Sequence, residues 1–336
     1  MSNGDFVSLE RDLSNNYLQN IEFVLTPSAF GGPSDLYKNI SGPEVLFESV
    51  SNELIGLGHG LEASLPDQNH LPALNNESSI INFELVEFFC SSAAYRTHQA
   101  IVNKNLPINL FVDHSTAIGS VTGAVCTKLS YEPNHKIALL WIDAHLDSHK
   151  PDLTPSRRAH GMPLSFLTHP KEELPPEYQK LRQSLSVPEF ALPIIPATSV
   201  FHLGLSQISL CKPNFTYYSM EQVQEHGLTA TLKELEKNLS TYDSVYISWD
   251  IDSIETPGTG LPPTLGFTKR EAIQIANWID IKLRRQGKLL GLDLAEFMPE
   301  LDKDNQSKEL AREILLKIFG ETLFNNPQGL NRHLGL

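Results

Sequence analysis

The feature that most constrains this chain is a series of short, unbroken apolar runs separated by longer stretches with helical periodicity. Strand candidates are Ile21–Leu25, Asn109–Val112, Ile137–Ile142, Val200–Leu205, Ser244–Ser248 and Leu289–Leu292. Each shows little alternation of polar and apolar residues, as expected of strands covered on both faces. Helical patterns run over Glu84–Val102, Met220–Asn238, Lys269–Arg285 and Ser307–Phe319. In the last, Leu310, Ile314, Leu315 and Ile318 fall on one face, opposite Lys308, Arg312 and Lys317. Thr268, followed three residues later by Glu271, reads as a capping box opening the third helix. Strands and helices in alternation predict a parallel α/β sheet. Polar, proline-containing stretches at 62–79 and 170–198 read as surface excursions, because strand and helix signals resume unchanged beyond them. The 336 residues are therefore expected to form one domain.

Composition removes several functional classes. Acidic residues outnumber basic ones 40 to 26, a formal charge of −14, and the only adjacent basic pairs are Arg157-Arg158, Lys269-Arg270 and Arg284-Arg285. A surface that tracks phosphates needs clustered cations, so nucleic acid is not the expected partner. Cys90, Cys126 and Cys211 are odd in number, with no CxxC, which fits neither a disulfide framework nor a thiolate zinc site and suits a reducing compartment. The first residues carry Asp5, Glu10 and Asp12 without an apolar core, so no signal peptide is expected. Apolar runs such as Ile137–Ile142 fall far short of the ~20 residues a membrane helix needs. The expectation is a soluble, cytoplasmic protein.

In open α/β sheets ligands bind outside the carboxyl ends of the strands, so the residues ending the apolar runs carry the information. Three ends bear metal-ligand chemistry: Asp113-His114-Ser115, Asp143-Ala-His145-Leu-Asp147 and Asp250-Ile-Asp252. Extended residues at i, i+2 and i+4 share a side, so Asp143, His145 and Asp147 are expected to converge, and Asp250 with Asp252 nearby. Crowded carboxylates repel unless cations neutralise them, and two divalent ions would cancel four charges. Imidazole among a majority of oxygen donors, without thiolate, favours Mn²⁺. A lone Asp-x-Asp at a strand end more often caps a turn. Three such groups at separate ends favour a metal site.

These residues resemble the arginase branch of the ureohydrolase superfamily. Asp113-His114-Ser115 with Ala117-Ile118-Gly119-Ser120 is similar to its GGDHS segment, Asp143–Asp147 to DAHxD, and Ser248–Asp252 to SxDxD. His160-Gly161-Met162-Pro163, Thr259-Gly260, and Gly291-Leu292-Asp293 leading to Glu296 and Pro299 follow the same pattern, and the likeness covers roughly residues 22–320. The resemblance implies a three-layer α/β/α sandwich with a mostly parallel central sheet. It also implies two Mn²⁺ per chain, one held by His114, Asp143, Asp147 and Asp250, the other by Asp143, His145, Asp250 and Asp252. The implied reaction converts L-arginine to L-ornithine and urea, with a metal-activated water as nucleophile. Asp147 would aim that nucleophile, Glu296 hold the guanidinium, and His160 deliver a proton to the leaving amine. Trimers or hexamers are the family's usual assemblies, but the tail after Phe319 is short and gives no clear subunit contact.

Three departures bear on substrate. The family's paired glycines before DHS are Phe111 and Val112. After Leu203-Gly204-Leu205, where arginases place carboxylates that read the α-ammonium group, this chain has Ser206-Gln207-Ile208-Ser209, and the next acid is Glu221. His149 replaces the asparagine that binds the α-carboxylate, while Thr154 and Ser156 keep the hydroxyls, and Arg157 and Arg158 follow. Arginase activity is the leading expectation. The alternatives are formiminoglutamate or a guanidino acid such as 4-guanidinobutyrate as substrate, or a catalytically silent regulator.

Overall fold

A computed structural model describes residues 20–320 apart from 39, 70, 171–174, 186, 189–192 and 207–213. The N-terminal stretch read above, Gln207, Ile208, Ser209, Cys211 and the tail beyond Gly320 lie outside the described residues.

Eight strands form one sheet: β1 (Asn20–Thr26), β2 (Gly60–Ser64), β3 (Leu106–Phe111), β4 (Ile137–Ile142), β5 (Val200–Leu205), β6 (Thr216–Ser219), β7 (Ser244–Asp250) and β8 (Leu289–Ala295). Their order is β2-β1-β3-β8-β7-β4-β5-β6, and every neighbouring pair is parallel. All residues of β3, β4, β5, β7 and β8 are buried. Edge strands β2 and β6 are largely exposed and lack a continuous apolar run, so the sequence pattern does not reveal them.

Helices cover both faces, as strands buried on both sides require. One layer holds α1 (Gly42–Gly56), α6 (Met220–His226), α7 (Leu228–Leu239), α8 (Lys269–Ile279) and α9 (Gln306–Phe319), packed on Phe23, Leu140 and Ile247. The other holds α2 (Phe83–Val102), α3 (Ala117–Tyr131), α4 (Pro163–Thr168) and α5 (Pro176–Ser184), packed on Leu139, Trp141 and Tyr246. Successive strand residues thus feed opposite cores. The expected three-layer α/β/α sandwich is present, with a wholly parallel sheet among the described residues.

Several boundaries differ from the sequence reading. The single helix expected over Met220–Asn238 is two, broken at Gly227, whose φ of 81° leaves the helical region. The Lys269–Arg285 helix is α-helical to Ile279 and continues as a π turn, Asp280–Arg284. Its capping box is as expected: Glu271 N donates to Thr268 Oγ1 at 3.3 Å, and Thr268 N donates to Glu271 Oε2 at 2.8 Å. The 62–79 excursion begins inside β2, and 170–198 contains α5. Helix α3 escapes periodicity because small residues interrupt its apolar pattern. Those residues have a packing reason: a Cβ at Gly119 would lie 2.0 Å from Cys90 O, and one at Gly123 would lie 2.4 Å from Ala94 O, both on α2.

Candidate metal centre

The strand order sets β3, β8, β7 and β4 side by side, so four carboxyl ends open onto one place. β3 delivers His114, β4 delivers Asp143 and the loop beyond it, β7 delivers Asp250 and Asp252, and β8 delivers Glu296.

Local hydrogen bonds shape each end. Asp143 Oδ1 accepts from His145 N at 2.7 Å, and Asp250 Oδ1 accepts from Asp252 N at 2.7 Å. Asp113 caps the turn that carries His114, accepting from Ser115 N at 3.0 Å and Gly31 N at 3.2 Å. Extended spacing is therefore not what gathers Asp143, His145 and Asp147. The strand stops at Ile142, and Asp147 sits at φ 48°, in the left-handed region. A side-chain-to-backbone turn brings these groups together. Asp143 and Asp250 cap with Oδ1 and turn Oδ2 towards His114, and in Asp143 the capping Oδ1 also faces His145 Nδ1.

The inward atoms form two adjoining groups. His114 Nδ1 lies 3.0 Å from Asp143 Oδ2, 3.2 Å from Asp147 Oδ2 and 3.0 Å from Asp250 Oδ2. Despite those distances it makes no well-aligned hydrogen bond, and the nitrogen is fully buried. One ring nitrogen with three carboxylate oxygens around it is an arrangement for a central cation. In the second group, His145 Nδ1 is 3.0 Å from Asp252 Oδ2 and 3.5 Å from Asp143 Oδ1. Asp252 Oδ1 is buried without a hydrogen-bond partner among the described residues. Asp143 serves both groups. An orphaned imidazole nitrogen, an orphaned carboxylate oxygen and a nitrogen–oxygen donor set without sulfur fit two divalent ions.

The electrostatics agree. Burial raises Asp147 to about 7 and Asp250 to about 6, with Asp143 adding repulsion to each. Burial also raises Asp252, helped by Asp250. Asp143 is held well below the usual range: burial opposes ionisation, but His114 and His145 overcome it. For His145, burial is likewise overcome, by Asp143 and Asp252, and its pKa rises to about 12. Without cations the cluster can be neutral only by sharing protons.

Glu296 and His160 flank these groups. Glu296 adopts φ 62°, and its Oε1 accepts from His114 N at 3.0 Å. His160 Nδ1 is 3.9 Å from the same oxygen. Burial lowers the His160 pKa, but Glu296, Asp147 and Asp113 carry it above its ordinary value. Backbone His160 N donates to Gly31 O at 3.2 Å, and a Cβ at Gly31 would lie 2.4 Å from Ser115 Oγ, so that approach requires glycine.

The mouth residues share the loop from Asp143 to Met162. His149 N donates to Gly161 O at 2.9 Å, beside the His160 turn. Thr154 Oγ1 and Ser156 Oγ lie 3.3 Å apart. Arg158 binds Gly32 O and Tyr37 OH, and Arg157 Nη1 donates to Ser78 O at 3.3 Å. Arg157 and Arg158, which follow those hydroxyls in the chain, thus have protein partners. Phe111 and Val112, where the family has glycines, pack into apolar clusters.

Sequence reasoning gave no role to three neighbours of the site. Trp141 donates from Nε1 to Asp143 Oδ2 at 3.0 Å. Ser248 Oγ lies 2.9 Å from His114 Nε2. His202 Nε2 lies 2.7 Å from His145 O, and its side chain is buried in β5. The available signal was a polar residue inside an otherwise apolar run. His98 and His59 have structural partners, Thr127 Oγ1 and Phe319 O, both at 2.8 Å.

Two adjoining histidine–carboxylate groups that share Asp143 and could each hold a metal ion stand at the carboxyl edge of the parallel sheet of this α/β protein. The profile of the arginase family matches residues 42–320, and the chain belongs to that family. It is 31% identical over 231 residues to an arginase of Staphylococcus aureus, covering 67% of this chain and 70% of that one. It is 29% identical over 251 residues to the non-hepatic arginase 3 of Xenopus laevis, covering 69% of this chain and 64% of the frog protein's length. The crystal structure of Entamoeba histolytica arginase in complex with L-ornithine shares the fold, with a TM-score of 0.76 and 21% identity, covering 90% of this chain and 99% of that one. Among the described residues no helix is long and apolar enough to cross a membrane.

Proposed function

We propose that this chain is a binuclear, manganese-dependent amidinohydrolase that converts L-arginine to L-ornithine and urea. The observation that carries the reading is His114 Nδ1, set within 3.0–3.2 Å of three carboxylate oxygens yet hydrogen-bonded to none. His114, Asp143, Asp147 and Asp250 would hold one ion, and Asp143, His145, Asp250 and Asp252 the other. Bound there, divalent cations would supply the nucleophile by lowering the pKa of a water from about 15.7 towards about 7.

The chain's own residues do the rest. Asp147 accepts a hydrogen bond from the attacking water and aims it. Glu296 pairs with the guanidinium and holds its carbon over the nucleophile, a positioning effect that supplies much of the rate. Water adds to that carbon, the bond from it to the side-chain nitrogen breaks, and the leaving nitrogen takes a proton. His160 supplies that proton, standing next to Glu296, which with Asp147 and Asp113 raises its pKa above the ordinary value and so favours the protonated imidazole. His149, Thr154 and Ser156 would read the distal end of the substrate.

A second reading keeps the chemistry and changes the substrate to an acid without a free amine, formiminoglutamate or 4-guanidinobutyrate. It is supported by Ser206, whose N donates to Ala144 O at 3.0 Å and so starts the segment after β5 beside the site. No carboxylate follows in that segment before Glu221. An ammonium without its carboxylate would forgo roughly 1.5–3 kcal/mol. We further propose a single-domain, cytoplasmic protein that assembles as a trimer or hexamer. The test is product formation by Mn²⁺-loaded protein from L-arginine, agmatine, 4-guanidinobutyrate and formiminoglutamate at equal concentration. Arginine as best substrate supports the first reading and an amine-free acid the second. No turnover, with less than one ion per chain, would point to a silent regulator.

A further inference from the structure

Behind His114 runs a buried hydrogen-bond chain. His114 Nε2 lies 2.9 Å from Ser248 Oγ, and that hydroxyl donates to Asp293 Oδ2 at 3.0 Å. Ser120 Oγ donates to the same oxygen at 3.0 Å, and the Tyr246 hydroxyl donates to Asp293 Oδ1. Tyr246 accepts from Asn109 Nδ2 at 2.9 Å, and Asn109 Oδ1 accepts from Thr97 at 3.0 Å. Asp293, Ser248, Ser120, Tyr246, Asn109 and Thr97 are all completely shielded from solvent.

Proton counting orients this chain. A hydroxyl has one proton, and Ser248 gives its own to Asp293, so its lone pair faces the imidazole and accepts the Nε2 proton. The other nitrogen, Nδ1, is then left with a lone pair aimed at the three carboxylates. The donors from Ser120 and Tyr246 hold Asp293 in place, so Ser248 has a fixed acceptor. His145 is supported differently: its N–H bonds Asp143 Oδ1, and His202 holds its carbonyl.

We infer that Ser248 and Asp293 are positioning residues that fix the metal-binding tautomer of His114 and set cation affinity at the His114 half of the pair alone. This rests on the two-ion reading above. Outer partners of ligating histidines are typically worth 10–100-fold in metal affinity.

The test is Mn²⁺ titration of metal-stripped wild-type, Ser248→Ala, Ser248→Thr and Asp293→Asn proteins by calorimetry and electron paramagnetic resonance. Wild type should take up two ions as a spin-coupled pair. Ser248→Ala and Asp293→Asn should keep one ion tightly and bind the other about 10–100-fold more weakly, with the six-line signal of isolated Mn²⁺ at sub-saturating metal. Ser248→Thr, which keeps the hydroxyl, should restore the pair. Two tight ions in Ser248→Ala, with only the melting temperature of the metal-free protein lowered, would overturn the relay and leave the two-ion reading standing. Equal weakening of both ions would overturn its selectivity. Fewer than two ions in wild type would overturn the two-ion reading itself, and the selectivity with it.

Discussion

Trp141 lies flat against His114, the ring centroids 4.1 Å apart and the planes 12° from parallel, while its indole N–H bonds Asp143. One buried side chain thus orients two of the groups that face each other across the site. Trp141→Phe keeps an aromatic surface and deletes the donor. It should weaken Mn²⁺ binding about 10-fold, with a smaller effect on the melting temperature of the metal-free protein. Titration of the stripped variant checks this, and unchanged affinity would contradict it.

Asp147 and Glu296 both occupy left-handed backbone, which costs about 1–3 kcal/mol for a residue other than glycine. Asp147→Asn and Glu296→Gln preserve shape and, because asparagine tolerates this region, add little strain. Both should fold normally and lose at least about 100-fold in kcat/KM. Circular dichroism with steady-state kinetics separates the two effects.

Metal-free protein should lose stability as pH rises. Asp147 and Asp250 titrate near 7 and 6 in the fold because of burial, against about 3.8 unfolded. A raised carboxyl pKa stabilises the fold while the group stays protonated, and that contribution disappears as pH passes the folded value. His145, raised to about 12, acts in the same direction above its unfolded 6.5. Asp143, held low, has its window below pH 4, outside this range. The melting temperature of stripped protein should therefore fall between pH 5 and 8. Mn²⁺, which needs deprotonated ligands, should reverse the slope. A rise with pH in the stripped protein would refute this account.

Two glycines should be destabilised by alanine to different degrees and for different reasons. At Gly119 the new methyl would meet the Cys90 carbonyl at 2.0 Å, so α2 and α3 must separate, at a cost of about 3 kcal/mol or more. At Gly227 nothing among the described residues lies within 4 Å of the new methyl, and only the backbone at φ 81° opposes the change, at about 1–3 kcal/mol. Chemical denaturation of both variants measures the difference.

What was legible in the sequence follows from burial. Strands β1, β3, β4, β5, β7 and β8 write continuous apolar runs because helices cover both their faces. Strands β2 and β6 are short, polar edges and write none. His114, Asp143 and Asp250 stand out because they end those runs, whereas Glu296 is marked only by the family resemblance. Ser248 is marked only as part of the SxDxD likeness, with no partner assigned, and Trp141 and His202 sit inside the runs and read as strand filling. Their partners are 134, 2 and 57 residues away, and neither of the long-range pairings is marked by any local pattern. The left-handed turn at Asp147 was equally invisible: Asp143, His145 and Asp147 do lie close together, but through a turn and not through extended spacing.

The placement of β7 and β8 between β3 and β4 also governs the order in which the site is made. A nascent polypeptide synthesised only through β5 carries His114 and Asp143 on strands that never pair with each other in the finished sheet. The middle of the sheet is translated last. Asp250, Asp252 and Glu296 leave the ribosome after His114 and Asp143, so the four strand ends meet only once synthesis has passed β8.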